Sequence, residues 1–230
     1  PRECQAMKKI DIAAKCLEWF TCSYPLEVDP DGRIRTIGSV RMKYPAEDGK
    51  LPVRFSVTGD FYIQGMNISD LEGCPDECQT FWAASNPLTD LRGGPQHVSG
   101  DYIVNGCGLT RLDGIAKYIY ADLRIFNNSL DSLDGLADVN VHSYVLATGN
   151  PITRLRDLPR CYQIMLTWSP RIPVLRMVVN NKRPEIRFSE PSIPPGFNEI
   201  MDRYENQGPG ALSACATELI KAGFRGNAKL

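Results

Sequence analysis

The sequence predicts an α+β solenoid: a right-handed coil of five to six turns of about 21 residues each, with a parallel β-sheet and a helical cap at both ends. Three observations carry this. An L-x-x-L element recurs from about residue 59 to 176 as Ile68 to Leu71, Leu88 to Leu91, Leu109 to Leu112, Leu130 to Leu133, Ile152 to Leu155 and Ile172 to Leu175, its first members stepping by 20, 21, 21, 22 and 20 residues. Each is preceded by a short segment alternating with period two, the mark of a strand that buries one face. The expected inward pairs are Phe61 and Ile63, Phe81 and Ala83, Tyr102 and Val104, Leu123 and Ile125, Val145 and Ala147, and Met165 and Thr167. Finally, Asn86, Cys107, Asn128 and Asn150 stand two residues ahead of the L-x-x-L element in the four central repeats.

Together these make an L-x-L-x-x-[N/C]-x-L frame, the leucine-rich-repeat signature. A unit this short cannot bury its own apolar face, so units must stack into one core with their strands in register. Stacking buries the Asn side chain, whose amide can satisfy backbone groups of its own and the adjacent coil, and an inward Cys is its compact substitute. Pro75, Pro95, Pro159 and Pro173 lie between one repeat and the next, so the return path is expected to be extended turns rather than helices.

The runs G-D-F-Y-I-Q-G-M-N-I-S-D-L-E-G-C-P at 59 to 75, N-P-L-T-D-L-R-G-G-P at 86 to 95 and G-D-Y-I-V-N-G-C-G-L-T-R-L-D-G at 100 to 114 resemble the bacteriophage short leucine-rich-repeat protein family. The segment Leu17 to Tyr24 and the C-terminal run A-L-S-A-C-A-T-E-L-I-K-A-G-F-R-G-N-A-K-L are similar to that family's opening and closing helices. The resemblance implies a phage origin and an interaction role, so that the cytoplasm expected below would be that of the host bacterial cell. After Asn140 the G-D pairs are lost, and the last repeat reads W-S-P-R-I-P-V-L.

The flanks frame the repeats, giving an N-terminal cap over 1–58, the solenoid over 59–176 and a C-terminal helical cap over 177–230 in one continuous domain. Ala6, Ile10, Ala13, Ala14, Leu17 and Phe20 form an apolar stripe at helical spacing, expected to face the core. The turn Asp29-Pro30-Asp31-Gly32 separates strands at 26–28 and 34–37, and 39–43 and 53–57 are further strands leading the sheet. Pro184, Pro191, Pro194 and Pro195 predict an irregular segment, followed by helices over 197–205 and 210–223.

Composition narrows the function. A net charge of −1 and a pI near 6.2 over 230 residues argue against nucleic-acid binding, which needs a clear excess of Lys and Arg. No apolar run is long enough to span a membrane and no signal peptide is recognisable, so the expectation is a cytoplasmic protein. Eight cysteines are too sparse for a disulfide scaffold and are read as thiols; Cys74 and Cys78 have neither a nearby His nor a second pair for zinc. The two histidines, His97 and His142, lie on different repeats, and no nucleophile, phosphate-binding or metalloprotease motif occurs. No cofactor, no metal and no enzymatic activity are therefore expected.

Residues between the inward pairs must face outward. One column reads Tyr62, Trp82, Ile103, Arg124, Leu146 and Leu166, and a second contains Phe126 and Trp168. So many aromatic, aliphatic and guanidinium groups on a face expected to be polar have the composition of a protein-binding hot spot on the concave sheet. The expected partner is a host protein that is bound and inhibited or modulated, which would make this an anti-defence protein. Assembly into the phage particle and self-association, with the flanks or a second copy covering the face, are the alternatives. Asp60, Asp101 and Asp122 form a third column, readable as a patch for a cation or a basic partner, or as capping groups at the strand starts. Acidic residues gather at 59–80 and basic ones at 154–187, which gives the solenoid axis a dipole.

Overall fold

The structure, a computed structural model, describes residues 2–156, 158–175, 184–190, 192–205 and 207–229, with residues 2–8 described by their backbone. Arg176, Lys182 and Arg183 of the basic stretch, Asp157, Pro191 and the side chain of Ala6 lie outside the described residues.

Helix α1 (Arg2–Trp19) runs directly into β1 (Phe20–Cys22), followed by β2 (Glu27–Val28), β3 (Ile34–Thr36), β4 (Val40–Met42), β5 (Phe55–Val57) and β6 (Phe61–Tyr62). Paired strands continue as β7 (Glu77–Cys78) and β8 (Phe81–Trp82), β9 (His97–Val98) and β10 (Tyr102–Ile103), β11 (Tyr118–Ile119) and β12 (Leu123–Arg124), and β13 (Asn140–Val141) and β14 (Tyr144–Leu146). The chain ends in β15 (Gln163–Leu166), β16 (Glu185–Phe188), α2 (Phe197–Tyr204) and α3 (Leu212–Lys221).

These elements form a β-solenoid of about seven stacked turns rather than the expected five to six, because the L-x-x-L count misses the coil ahead of residue 59. Its principal sheet has nine strands in the order β1-β4-β6-β8-β10-β12-β14-β15-β16, all parallel except for the β1–β4 pair. A second sheet, β13-β11-β9-β7, runs along the return path, and a third, β2-β3-β5, precedes it. The return segments are thus extended, as their prolines predict, and they pair as well. The coils begin ahead of residue 59: β4 already lies parallel to β6, with Val40 opposite Phe61. The G-S-V-R-M run at 38–42 is the weak echo of G-D-F-Y-I at 59–63.

Between the sheets lies one continuous core holding the L-x-x-L residues and the inward strand residues from Phe61 to Ala147, among them Phe61, Phe81, Leu123 and Val145 at 0% exposure. The aromatic members stack along the axis, Phe55 on Phe61 at 5.1 Å and Phe81 on Tyr102 at 5.0 Å. The Asn ladder forms as the repeat demands. Asn128 Oδ1 accepts from the amides of Cys107 (2.9 Å) and Leu109 (3.1 Å), while its Nδ2 donates to the carbonyls of Val104 (3.0 Å) and Ile125 (2.9 Å). Asn86 and Asn150 make the same kind of bridge, and the Cys107 thiol donates to the Ala83 carbonyl at 3.4 Å. At the far end Asn227, remote in sequence and fully buried, donates to the Ser169 and Ile172 carbonyls, both at 2.9 Å.

Three expectations need correction. Helix α1 buries Cys16 and packs Ile12 and Trp19 on the core, whereas Ile10 and Leu17 of the predicted stripe are 67% and 54% exposed. The helix leads straight into β1, and the pairing of β1 with β4 fixes its roll. In the sixth strand the inward residues are Ile164 and Leu166 rather than Met165 and Thr167, because Val145 pairs with Ile164 and Leu146 with Met165. A one-residue shift exchanges the two faces of a strand. The proline-rich segment also contains β16, which extends the sheet with Ile186 opposite Ile164; Pro184 stands before the strand, where its missing N–H breaks no pairing.

Helices α2 and α3 close on the same core through Phe197, Ile200, Met201, Cys215 and Leu219, all buried. No helix among the described residues is long and apolar enough to cross a membrane.

Candidate binding face

Register determines which side chains share the outward face of the nine-stranded sheet. Pairing from strand to strand aligns Arg41, Tyr62, Trp82, Ile103, Arg124, Leu146, Met165 and Arg187 in one column. The next outward positions, tied by inter-coil hydrogen bonds, are Ala84, Asn105, Phe126 and Thr148. The face is therefore apolar and aromatic through its middle, with an arginine at each end of the main column.

At one end the Arg41 guanidinium lies 4.4 Å over the Tyr62 ring, which in turn meets Trp82 at 5.9 Å. The Tyr62 hydroxyl donates to Asp60 at 2.9 Å; burial first, and then this bond, raise its pKa and keep it neutral. Tyr62, Trp82, Arg124, Phe126 and Leu146 are half-buried, as residues standing on a sheet should be. Ile103 stands between Trp82 and Arg124 in the column and is only 4% exposed, although it is not part of the interior cluster. Its large neighbours cover it. Trp82 Nε1 and Arg124 Nε, on either side of Ile103, have no hydrogen-bond partner among the described residues.

Two of the residues expected here lie elsewhere. Leu166 is fully buried, an inward residue of β15 placed there by the register shift. Trp168 belongs to the C-terminal end of the core, packing edge-on against Phe197 at 5.7 Å and Phe224 at 6.2 Å. Met165 and Arg41 take places on the face that sequence reasoning missed. One signal was available: Cys161-x-x-Ile164 repeats the spacing of Cys78-x-x-Phe81, which sets Ile164 inward and Met165 outward.

The aspartate column has local partners. Asp60 Oδ1 accepts from the Thr80 amide at 3.0 Å, Asp101 Oδ1 from the Asp122 amide at 3.0 Å, and Asp122 Oδ1 from the Tyr144 amide at 3.3 Å. Each carboxylate thus stitches its coil to the next. The second oxygens of Asp101 and Asp122 both engage Arg124, at 2.9 and 3.4 Å, which offsets the repulsion of like charges on adjacent strands. Asp60 is not part of this ion-pair group: its Oδ2 accepts from the Tyr62 hydroxyl at 2.9 Å.

His97 lies in β9 of the second sheet and His142 directly follows β13, each against a tyrosine: His97 on Tyr118 at 5.1 Å and His142 on Tyr120 at 4.6 Å. Among the described residues no three His, Cys, Asp or Glu side chains are grouped to hold a metal. A polar cleft of about 380 Å³ near the L-x-x-L turns is lined by Arg111, Asp113, Asp131, Asp134 and Arg154, with Arg154 paired to Asp131 at 2.8 Å. No family model, curated protein or solved structure matches the chain.

Proposed function

We propose that the chain is a leucine-rich-repeat protein of the short bacteriophage kind. In this reading it is a right-handed solenoid capped by α1 at one end and by α2 and α3 at the other. It acts without catalysis, in the cytoplasm of the host bacterium, by binding a host protein on the outward, concave face of the nine-stranded sheet and so inhibiting it.

The observation that carries the reading is the unbroken run Tyr62, Trp82, Ile103, Arg124, Leu146 and Met165 with Phe126 beside it. Large aromatic and guanidinium groups on a rigid sheet give high contact area at little entropic cost, and such groups dominate interface energetics once desolvated.

The test is capture from host lysate on the immobilised chain, then titration of the captured protein against wild type, Trp82→Ala and Phe126→Ala. Each substitution should weaken binding by about 2 kcal/mol or more, about 30-fold in Kd, while thermal melting stays close to wild type. Undiminished affinity in both variants would remove this face from the reading.

A further inference from the structure

Among the described strands the nine-stranded sheet ends on β16, which pairs with β15 alone and in parallel. In a parallel ladder only alternate residues of a strand bond a given neighbour. The amides of Glu185 and Ser189 donate to the Tyr162 and Leu166 carbonyls, at 3.2 and 2.8 Å, so Ile186 and Phe188 turn their own amides and carbonyls to the outer edge. None of these four groups has a hydrogen-bond partner among the described residues. Helix α2 stands across a cleft of about 230 Å³ from the strand, tied to it by the Arg187–Glu205 ion pair at 3.8 Å and by the Phe188 and Phe197 rings at 5.9 Å.

The lining has two parts. Ile186 and Phe188 on the strand and Phe197 and Met201 on the helix make the walls apolar. Three carboxylates, Glu190, Asp202 and Glu205, face a single cation, Arg187. Arg187 is already engaged by Glu185 as well as by Glu205, whereas Glu190 and Asp202 are exposed and have no ion pair among the described residues. The cleft therefore offers apolar contact, surplus negative charge and an open main-chain edge side by side. Its volume is below the roughly 300–1,000 Å³ typical of sites for drug-sized ligands, which points to a short stretch of polypeptide.

We propose that the cleft between β16 and α2 receives an extended segment of a partner protein, apolar at alternate positions and basic between them, which joins the sheet as a further strand. A strand edge with unpaired amides and carbonyls is a template for another chain, and main-chain bonds then give affinity while pockets for alternate side chains give specificity. Successive side chains of the added strand point to opposite faces. Those on the side of Ile186 and Phe188 enter the apolar walls, and the ones between them reach Glu190 and Asp202. An acidic segment meets like charge there, so the rim selects a basic one. This site is separate from the column around Trp82 and does not depend on that column having a partner.

The probe is a fluorescent heptapeptide alternating lysine and valine, titrated by anisotropy against the full-length chain beside its glutamate–valine counterpart and a lysine–valine peptide N-methylated at every amide. The lysine peptide should bind about tenfold or more tightly than the glutamate one, and the N-methylated peptide should not bind. Hydrogen exchange at the Ile186 and Phe188 amides should slow when the lysine peptide is bound. Glu190→Lys combined with Asp202→Lys should weaken the lysine peptide about fivefold or more, while Glu47→Lys, at an exposed carboxylate of the first coils, leaves it unchanged. Equal affinity for the two charge types, undiminished binding of the N-methylated peptide, or an equal loss with Glu47→Lys overturns the proposal. So does slow exchange of the two amides without peptide: in dilute chain it means that the chain covers its own edge, and if it appears only as concentration rises, a second copy does. The wild-type titrations decide even if the double variant fails to fold.

Discussion

The middle of the solenoid and its two ends are held by different means. From β8 to β14 every coil obeys the same frame. An inward aromatic or aliphatic residue meets its counterpart one coil away and an Asn or Cys bridges two turns, while ahead of β10 and β12 an Asp takes the next coil's amide. At the ends of the described stack the chain departs from this frame. The first strand, β1, joins antiparallel and brings a helix with it. At the last turn Asn227, from beyond the repeats, takes the position of a ladder asparagine, and Trp168, Phe197 and Phe224 close the core edge-on. Repetition specifies the interior of a stack, because each unit is satisfied by a copy of itself, whereas a terminus must be satisfied by something else.

Substitutions can sharpen this contrast. The largest effect is expected at the C-terminal end: Trp168→Ala removes two ring contacts from a closed aromatic cluster and should cost about 3–5 kcal/mol in urea unfolding. Trp82→Ala, on the outward face, should cost well under half of that. Equal losses would mean that both tryptophans are core residues and the distinction between face and end is false.

Next comes the ladder. Asn128→Leu leaves two amides and two carbonyls without their partner inside the stack and should cost about 1–3 kcal/mol. Asn227→Leu, which forfeits two donated bonds at the edge, should cost less. The reverse order, measured by thermal melting, would show that the terminal asparagine holds the fold more strongly than the repeat does.

Tyr102 probes the middle of the core by pH. Its ring is fully buried, its hydroxyl has no partner among the described residues, and burial raises its pKa well above the usual 10. The folded state keeps the phenol neutral while the unfolded chain ionises near 10, so the associated stability is intact below that pH and falls as pH rises beyond it. Tyr102→Phe should melt within about 1 kcal/mol of wild type at pH 7 and lose stability less steeply above pH 10. Parallel alkaline profiles for the two proteins would refute the assignment.

The smallest effect is expected on α1. Leu17→Ser should change stability by no more than about 0.5 kcal/mol, because Leu17 is exposed despite its place in the apolar stripe. A loss of about 2 kcal/mol would restore the face read from periodicity.

Legibility follows the same division. The repeat, the inward pairs from Phe61 to Ala147 and the asparagine ladder are all in the sequence, because period and residue type there report one local rule applied many times. Five residues of the candidate face, Tyr62, Trp82, Arg124, Phe126 and Leu146, follow from that rule and stand half-buried on the sheet. Ile103 follows it in direction but is covered by neighbours, which no alternation pattern records. Leu166 and Trp168 fall where the spacing changes, and a single residue of slip sends a strand's side chains to the other face.

What the sequence determined by itself is therefore the coil: its length, its inward residues and the polar group that closes each turn, all set by contacts between a unit and its copy. Tertiary structure alone decided how the coil stops. The roll of α1, the register of β15, the addition of β16 and the recruitment of Asn227 each depend on a partner far away in the chain, and hydrogen-bond pairing at an edge overrides a local apolar pattern.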